Sequence, residues 1–342
     1  MAEKRMYGAL LHLGMNMWTD RPYPRPLTGE YQYEIPTTLP SDVYKLKKLA
    51  RTMGGCKDFL NFDESTFHAA TEYLAQKGMN LVMIDVGEGL VYPSHPELGV
   101  KGSWTPEKMR VELKRLRGLG LEPIPKINFS TTHCAWLGEY RRMISTPQYY
   151  QVVADVIKDV YEVFEHPRFI HLGYDEEDAW HMKQFDYMPI RQGELWWHDF
   201  LFTIEKVEKL GARAWIWSDK VWHHKDEFLR RCPKSVLQSN WYYEQTFAPD
   251  EKSTLYPMVH AYDWLEKAGF EQVPCCSNCG QWNTLKTNTA DTARYVKPII
   301  AASRLKGMMT APWTSTTAPF LGWIKEAVDM LAEARSILER AD

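Results

Sequence analysis

A chain of 342 residues, 44% of them aliphatic, aromatic or cysteine, can bury a sizeable core as one large domain or two small ones. Its formal net charge of −3 leaves no basic footprint for nucleic acid or an anionic membrane surface, and no apolar run is long enough to span a bilayer. The opening Met-Ala-Glu-Lys-Arg lacks the apolar segment of a secretory signal, so the expectation is a soluble, cytoplasmic protein.

Taken in chain order, short apolar runs alternate with amphipathic stretches. Tyr7–Gly14 reads as a strand and is followed by a long polar loop, residues 19–62. A helix opens at Asp63 with Phe67, Ala70 and Leu74 on one face, and Leu81–Val86 is a buried strand. Thr105-Pro106-Glu107 pairs a capping residue with proline at the first helical position, a strong helix start, and Glu122–Phe129 is the third strand. Thr146-Pro147 repeats that signal for a helix to about Glu165, before strand Arg168–Tyr174. Helix Gln192–Lys209 leads to strand Arg213–Trp217, and short helix Lys225–Arg231 to strand Ser235–Asn240. Helix Thr254–Lys267 precedes strand Phe270–Cys275, and helix Thr289–Leu305 precedes strand Met308–Pro312; a last helix covers about Pro319–Glu339.

Eight strand–helix units without a linker-like break imply a parallel sheet with helical crossovers, closed into a (β/α)8 TIM barrel that takes up residues 1–342 as a single α/β domain. An open doubly wound sheet would be expected to carry a glycine-rich phosphate loop after its first strand, and none is present. The C-terminal ends of the strands are where such barrels do chemistry. Those ends hold His12, Asn16 and Trp18; Asp85; Asn128 and His133; His171, Asp175 and Glu176; Trp217 and Asp219; Trp241; Asn278 and Trp282; and Trp313. Flat aromatic faces beside carboxylates and amides suit the apolar faces and hydroxyl edges of a sugar, so the expected partner is a carbohydrate substrate. Any one of these tryptophans, taken singly, reads more readily as a plug under a loop; it is the set that favours a sugar pocket.

The sharpest segment is Phe169-Ile170-His171-Leu172-Gly173-Tyr174-Asp175-Glu176. It resembles the end of the fourth barrel strand in family 20 glycoside hydrolases, the β-N-acetylhexosaminidases, where the pattern is His-x-Gly-Gly-Asp-Glu. Tyr174 stands in place of the second glycine. The chain is also similar to family 123 β-N-acetylgalactosaminidases, which carry an adjacent Asp-Glu pair. The resemblance implies a retaining exo-glycosidase in which Glu176 donates a proton to the glycosidic oxygen and Asp175 orients the substrate's 2-acetamido group. The acetamido oxygen then attacks the anomeric carbon, so the substrate supplies its own nucleophile, an exception to the two-carboxylate scheme. His171 would fix strand and carboxylate geometry. Trp217, Trp241 and Trp313 match family tryptophans, and His133 falls near a family histidine. Without the His-Leu-Gly lead-in, the run Asp175-Glu176-Glu177-Asp178 would read as an acidic helix start favoured by the macrodipole.

The chain departs from the family pattern at strands seven and eight. Cys275-Cys276-Ser277-Asn278 and Trp313-Thr314-Ser315 occupy the places of a Tyr-x-Asp and a Trp-x-Glu, and the arginine expected on strand one is missing. Either N-acetylgalactosamine or N-acetylglucosamine fits this rebuilt hydroxyl-recognition set, with a lean to galactosamine. No cofactor and no metal are expected: Cys275, Cys276 and Cys279 lack a second Cys-x-x-Cys, and reduced, partly buried thiols are the simpler reading. The alternatives are a metal-dependent sugar isomerase or lyase on the same barrel and a non-catalytic sugar-binding barrel. The oligomeric state is open, with a dimer as one option.

Overall fold

The structure, a computed structural model, describes residues 4–20, 55–278 and 287–340. Among the described residues, eight parallel strands alternate with helices. In order they are β1 (Met6–His12), α1 (Glu64–Gln76), β2 (Leu81–Asp85), α2 (Pro106–Gly118), β3 (Glu122–Lys126), α3 (Pro147–Val163), β4 (Phe169–His171) and α4 (Gly193–Lys209). The second half continues with β5 (Arg213–Trp217), α5 (Lys225–Arg231), β6 (Leu237–Ser239), α6 (Leu255–Lys267), β7 (Cys275–Cys276), α7 (Asn288–Val296), β8 (Gly307–Thr310) and α8 (Leu321–Glu339). No helix among the described residues is long and apolar enough to cross a membrane.

The capping signals do what their chemistry dictates. Asp63, Thr105 and Thr146 each hold extended backbone and accept from the N–H three residues on, at Thr66, Lys108 and Tyr149, with proline following the two threonines. The continuous ladder runs β6-β5-β4-β3-β2-β1-β8-β7. Between β6 and β7 the parallel bridges Gln238↔Gln272 and Trp241↔Cys275 close the ring. The chain is therefore a (β/α)8 barrel.

Most strands start or stop one to three residues from their expected bounds, and three elements depart further. Strand β4 stops at His171 because Gly173 and Tyr174 both take positive φ and curl the chain across the barrel mouth. Only Cys275–Cys276 of the seventh run is regular strand, since Pro274 has no N–H to give the ladder. Helix α7 ends at Val296 rather than Leu305, where Lys297 precedes the helix-incompatible Pro298.

Strand side chains alternate between two cores. One set packs outward under the helices, with Ala9, Val82, Ile127, Ile170, Ala214 and Ile216 against residues such as Val153, Val156 and Phe200. The other set fills the barrel: Met6, Leu10, Leu81, Met83, Ile124, Phe169, Trp215, Leu237, Val273 and Met309. Two steps further along the same strands, the inward positions become His12, Asp85, Lys126, His171 and Trp217; two steps beyond Lys126 and Trp217 come Asn128 and Asp219, and Asp175 follows His171 by four. The period of two thus carries the chain from an apolar plug, through a buried polar layer, to the mouth.

Candidate active site

At the mouth, Met17, Trp18, Asn128, His133, Asp175, Glu176, Trp241, Tyr243 and Trp313 line a cavity of about 210 Å³. Its polar wall is made by the turn after β4 and the loop after β3. Asn128 Nδ2 donates to Asp175 Oδ1 at 2.8 Å, while Ser130 Oγ and Thr132 Oγ1 both donate to the Asp175 carbonyl, at 2.5 and 3.1 Å. His133 Nε2 lies 3.3 Å from Asp175 Oδ2 and 3.1 Å from Glu176 Oε2, so one imidazole edge grips both carboxylates. The other oxygen of Glu176, Oε1, lies 3.4 Å from His181 Nε2. Asp219 accepts from the Glu176 backbone N–H at 2.8 Å through Oδ2 and from Trp241 Nε1 at 3.4 Å through Oδ1.

The electrostatics separate these groups. Burial works against a charge on Asp175. The His133 charge and hydrogen bond, Lys126 below and the Asn128 amide outweigh it and hold the carboxyl well below the usual range. Burial also opposes a charge on His133, but Asp175 and Glu176 push its pKa up to about 10, so it is an imidazolium at neutral pH. Asp219 moves the opposite way to Asp175: burial, then the charges of Asp175 and Glu176, raise it despite the backbone hydrogen bond. The site thus keeps Asp175 ionised beside a carboxyl, Asp219, that favours its proton.

The turn that presents Asp175 and Glu176 is sterically exacting. Gly173 has φ +74°, and a Cβ there would fall on the Asn128 carboxamide. Tyr174 has φ +73° and Glu176 φ +56°, both unfavourable for side-chain-bearing residues. Tyr174 is fastened outside the barrel: its OH meets Thr203 Oγ1 at 2.9 Å and its ring packs edge-on against Phe200. Glu177 turns away from the cavity into a buried network. It accepts from Thr131 N–H, from Arg191 and from Trp196 Nε1, while Arg191 also reaches Asp199 and the Phe129 carbonyl. Replacing Gly173 by Ala should therefore displace Asn128 from Asp175. We expect at least a tenfold loss of turnover with a smaller loss of stability, read by steady-state kinetics beside thermal unfolding.

The strand-end residues divide into three groups. Trp18, Asn128, His133, Asp175, Glu176, Trp241 and Trp313 come together around the cavity, with Asp219 behind Glu176 and Trp241. His12, Asp85, His171 and Trp217 form the buried layer beneath: His12 Nδ1 lies 3.3 Å from Asp85, the His171 ring centroid lies 4.3 Å from that of Trp217 in a tilted contact, and Trp217 lies 6.0 Å from Trp313. His171 Nδ1 accepts from the Gly173 N–H at 3.1 Å, and burial, with the Lys126 charge, keeps its ring neutral. Asn16 and Asn278 spend their amides elsewhere. Asn16 exchanges two hydrogen bonds with the Lys57 backbone, and Asn278 donates to the Trp323 carbonyl. Trp282 and Cys279 lie outside the described residues.

Three residues enter that strand-end reasoning had not singled out. Lys126 donates to Asp85 at 2.5 Å inside the barrel; a lysine within a buried strand was a signal, but nothing local marks the face it takes. Tyr243 lines the cavity and accepts from Trp313 Nε1 at 3.0 Å; it sits two residues after Trp241, on the same side of the chain. His181 had no signal, because it lies in the connection to α4. Cys275 and Cys276 are unpaired, and burial pushes both thiols up. Ligating atoms of His133, Asp175 and Glu176 lie within 4.8 Å of one another, the one such group among the described residues that could hold a metal ion.

Just past the end of β2, Glu88, fully buried, accepts from Met15 N–H at 2.7 Å and Asn16 N–H at 3.0 Å, which shapes the segment carrying Met17 and Trp18. Burial outweighs those hydrogen bonds and raises its carboxyl to about 7. A raised folded-state value contributes stability that is fully present below the unfolded value and lost as pH rises through about 7. The loss is on the order of 3 kcal/mol. Glu88→Gln, which keeps an acceptor for both N–H groups, should flatten the fall in denaturation midpoint between pH 5 and 8; an unchanged slope would contradict this.

The sequence matches no protein-family model and no curated protein. Its fold matches solved structures of family 20 β-N-acetylhexosaminidases. An exo-β-N-acetylglucosaminidase from Vibrio harveyi aligns over 82% of this chain and 57% of its own, at TM-score 0.54 and 14% identity. A chitobiase from Flavobacterium johnsoniae aligns over 81% and 48%, at TM-score 0.57 and 16% identity. A β-N-acetylhexosaminidase from Bacteroides fragilis aligns over 95% and 65%, at TM-score 0.58 and 14% identity. The chain thus spans about half to two thirds of these proteins, and the likeness is one of fold.

Proposed function

We propose that the protein is a retaining exo-β-N-acetylhexosaminidase that works by substrate-assisted catalysis. The observation that carries this reading is the shared grip of His133 on Asp175 and Glu176 within a cavity walled by Trp18, Trp241 and Trp313. Two carboxylates held on one imidazole edge cannot flank a sugar from opposite faces, as a nucleophile and an acid must. They suit a mechanism in which both act from one side. Asp175, kept ionised, accepts the acetamido N–H and turns the acetamido oxygen toward C1. Glu176 protonates the glycosidic oxygen as the C1–O bond breaks and the acetamido oxygen forms its bond to C1, giving an oxazolinium-type intermediate. Water then attacks C1 as the bond between C1 and the acetamido oxygen breaks, Glu176 recovers a proton from that water, and the released sugar keeps its β configuration and its acetamido group. Asp219 positions the acid through its backbone and the Trp241 indole through its edge.

The small cavity, below the roughly 300–1,000 Å³ of sites for drug-sized ligands, supports removal of one terminal sugar at a time. The likeness in fold to β-N-acetylhexosaminidases supports the sugar class. The resemblance to family 123 rests on the Asp-Glu pair alone. A screen of aryl β-glycosides of GlcNAc, GalNAc, glucose and galactose tests the reading. Cleavage confined to the N-acetylated pair is expected, and equal cleavage of the unacetylated sugars would exclude acetamido participation. A second reading, a metal-dependent sugar enzyme, rests on the His133, Asp175 and Glu176 group; loss of activity with a chelator and its return with a divalent cation would favour it.

A further inference from the structure

Residues 14–18, which leave β1 and carry Met17 and Trp18 into the cavity wall, lie directly on the Glu88 carboxyl. Oε1 accepts the Met15 N–H at 2.7 Å, and both oxygens accept the Asn16 N–H at 3.0 Å. A Cβ on Gly14 would come within 2.7 Å of Oε2 and 2.6 Å of the Val86 carbonyl oxygen, so the segment and the chain after β2 meet at the closest approach glycine allows. Glu88 is the fixed partner. Ser103 Oγ donates to its carbonyl at 2.7 Å, and the neighbouring Gly89 carbonyl accepts the Trp104 N–H at 2.8 Å. Past the carboxyl the hold is looser: the Met17 carbonyl accepts from Ala135 N–H at 3.4 Å, and Trp18 meets His133 and His12 edge-on, with centroids 6.3 and 6.4 Å apart.

We propose that Glu88 is a positioning residue for substrate affinity: its carboxyl sets where Met17 and Trp18 stand, and gain or loss of its proton moves that wall. The inference rests on the cavity being the substrate site, as the proposed function has it, but not on the identity of the sugar. Because the backbone of Glu88 is clamped, a change at the carboxyl is taken up by the segment resting on it. The titratable groups around it are Asp85 on β2, Tyr92 beyond β2, and Cys56 and Lys57 ahead of α1. Burial, aided by the Asp85 charge, favours the neutral acid over the hydrogen bonds from Met15 and Asn16. The observed arrangement is therefore strongest with Glu88 protonated. As pH rises through about 7, ionisation favours a position of the segment that admits water to the carboxylate, and Trp18 draws back from the cavity. The effect falls on binding, because Glu88 bonds to the chain behind Trp18 and not to Asp175 or Glu176.

Kinetics and hydrogen exchange across roughly pH 6 to 8.5 test this on the wild type and on Glu88→Gln, whose amide keeps an acceptor but cannot ionise. For whichever aryl glycoside is cleaved, the wild-type KM should rise about fivefold relative to the variant over this range, with the ratio of kcat values constant. Asp219 and His133 titrate in the cavity as well, so the ratio between the two proteins carries the reading. Protection of the peptide spanning residues 13–18, corrected for intrinsic exchange, should fall about tenfold in the wild type and hold in Glu88→Gln. A KM ratio that is flat with pH overturns the proposal, as does a pH-dependent ratio carried by kcat. Matching protection profiles in the two proteins overturn it too. Should Glu88→Gln fail to fold, the wild-type profile decides, and constant protection over the range sinks the idea. If none of the four glycosides is cleaved, the hexosaminidase reading falls by itself, and the exchange profiles decide whether Glu88 governs the wall.

Discussion

Replacing Glu176 by Gln should lower turnover of a poorly activated N-acetylhexosaminide about 10²–10⁴-fold while sparing a substrate with a good leaving group such as a dinitrophenolate. The contrast follows from the role of Glu176 as proton donor: a leaving group that departs readily as an anion needs no proton. Asp175→Asn should behave differently and slow both substrates alike, because the acetamido group must be oriented before any leaving group can depart. Asn can still accept from Asn128 Nδ2 at the same place, so the fold at the turn should survive. What is lost is the charge that the site maintains against burial. Kinetics of the two variants on a pair of substrates differing only in leaving group would separate the roles. If Glu176→Gln slows both substrates equally, Glu176 is not the proton donor.

The second large effect is expected away from the chemistry. Lys126 and Asp85 form an ion pair inside the barrel with neither side chain exposed to solvent beyond 2%. Removing one partner leaves the other as an uncompensated buried charge, so Lys126→Met should destabilise the protein by about 3–5 kcal/mol. The double replacement Lys126→Met with Asp85→Leu should recover most of that stability, because an apolar pair has no desolvation to offset. Urea unfolding of the single and double variants would measure both. The recovered protein should still be impaired, since Lys126 is one of the charges that keep Asp175 ionised. Its acid limb of kcat/KM should move to higher pH, as expected for a carboxyl released from a lowered pKa. A double variant that is stable and has an unmoved acid limb would show that Lys126 serves the fold alone.

Much of the barrel is legible in the sequence because each unit announces itself locally. Thr105-Pro106 and Thr146-Pro147 are caps whose geometry needs no tertiary context, and Arg213–Trp217 appears in the structure at the bounds its residues predict. Legibility fails where the chain leaves regular structure. Nothing local states that Gly173 and Tyr174 both turn left-handed, yet that turn brings Asp175 beside Asn128 and His133. Strand-end position identifies Asn16 and Asn278 as polar groups at the mouth but not the direction of their amides, which backbone carbonyls capture. Lys126 is hidden for a different reason. Buried parallel strands are apolar on both faces, so hydropathy does not mark which side of β3 looks inward. Only closure of the ring sets that.

Tyr174 occupies a position whose backbone favours glycine, and the buried ring that offsets this cost rests on Phe200 and Thr203 of α4. The turn and the outer helix are in consequence a single mechanical unit. Substitutions at Thr203 or Phe200, which touch no substrate, would reach Asp175 and Glu176 through one tyrosine, and selection on α4 would act on catalysis as well as on packing.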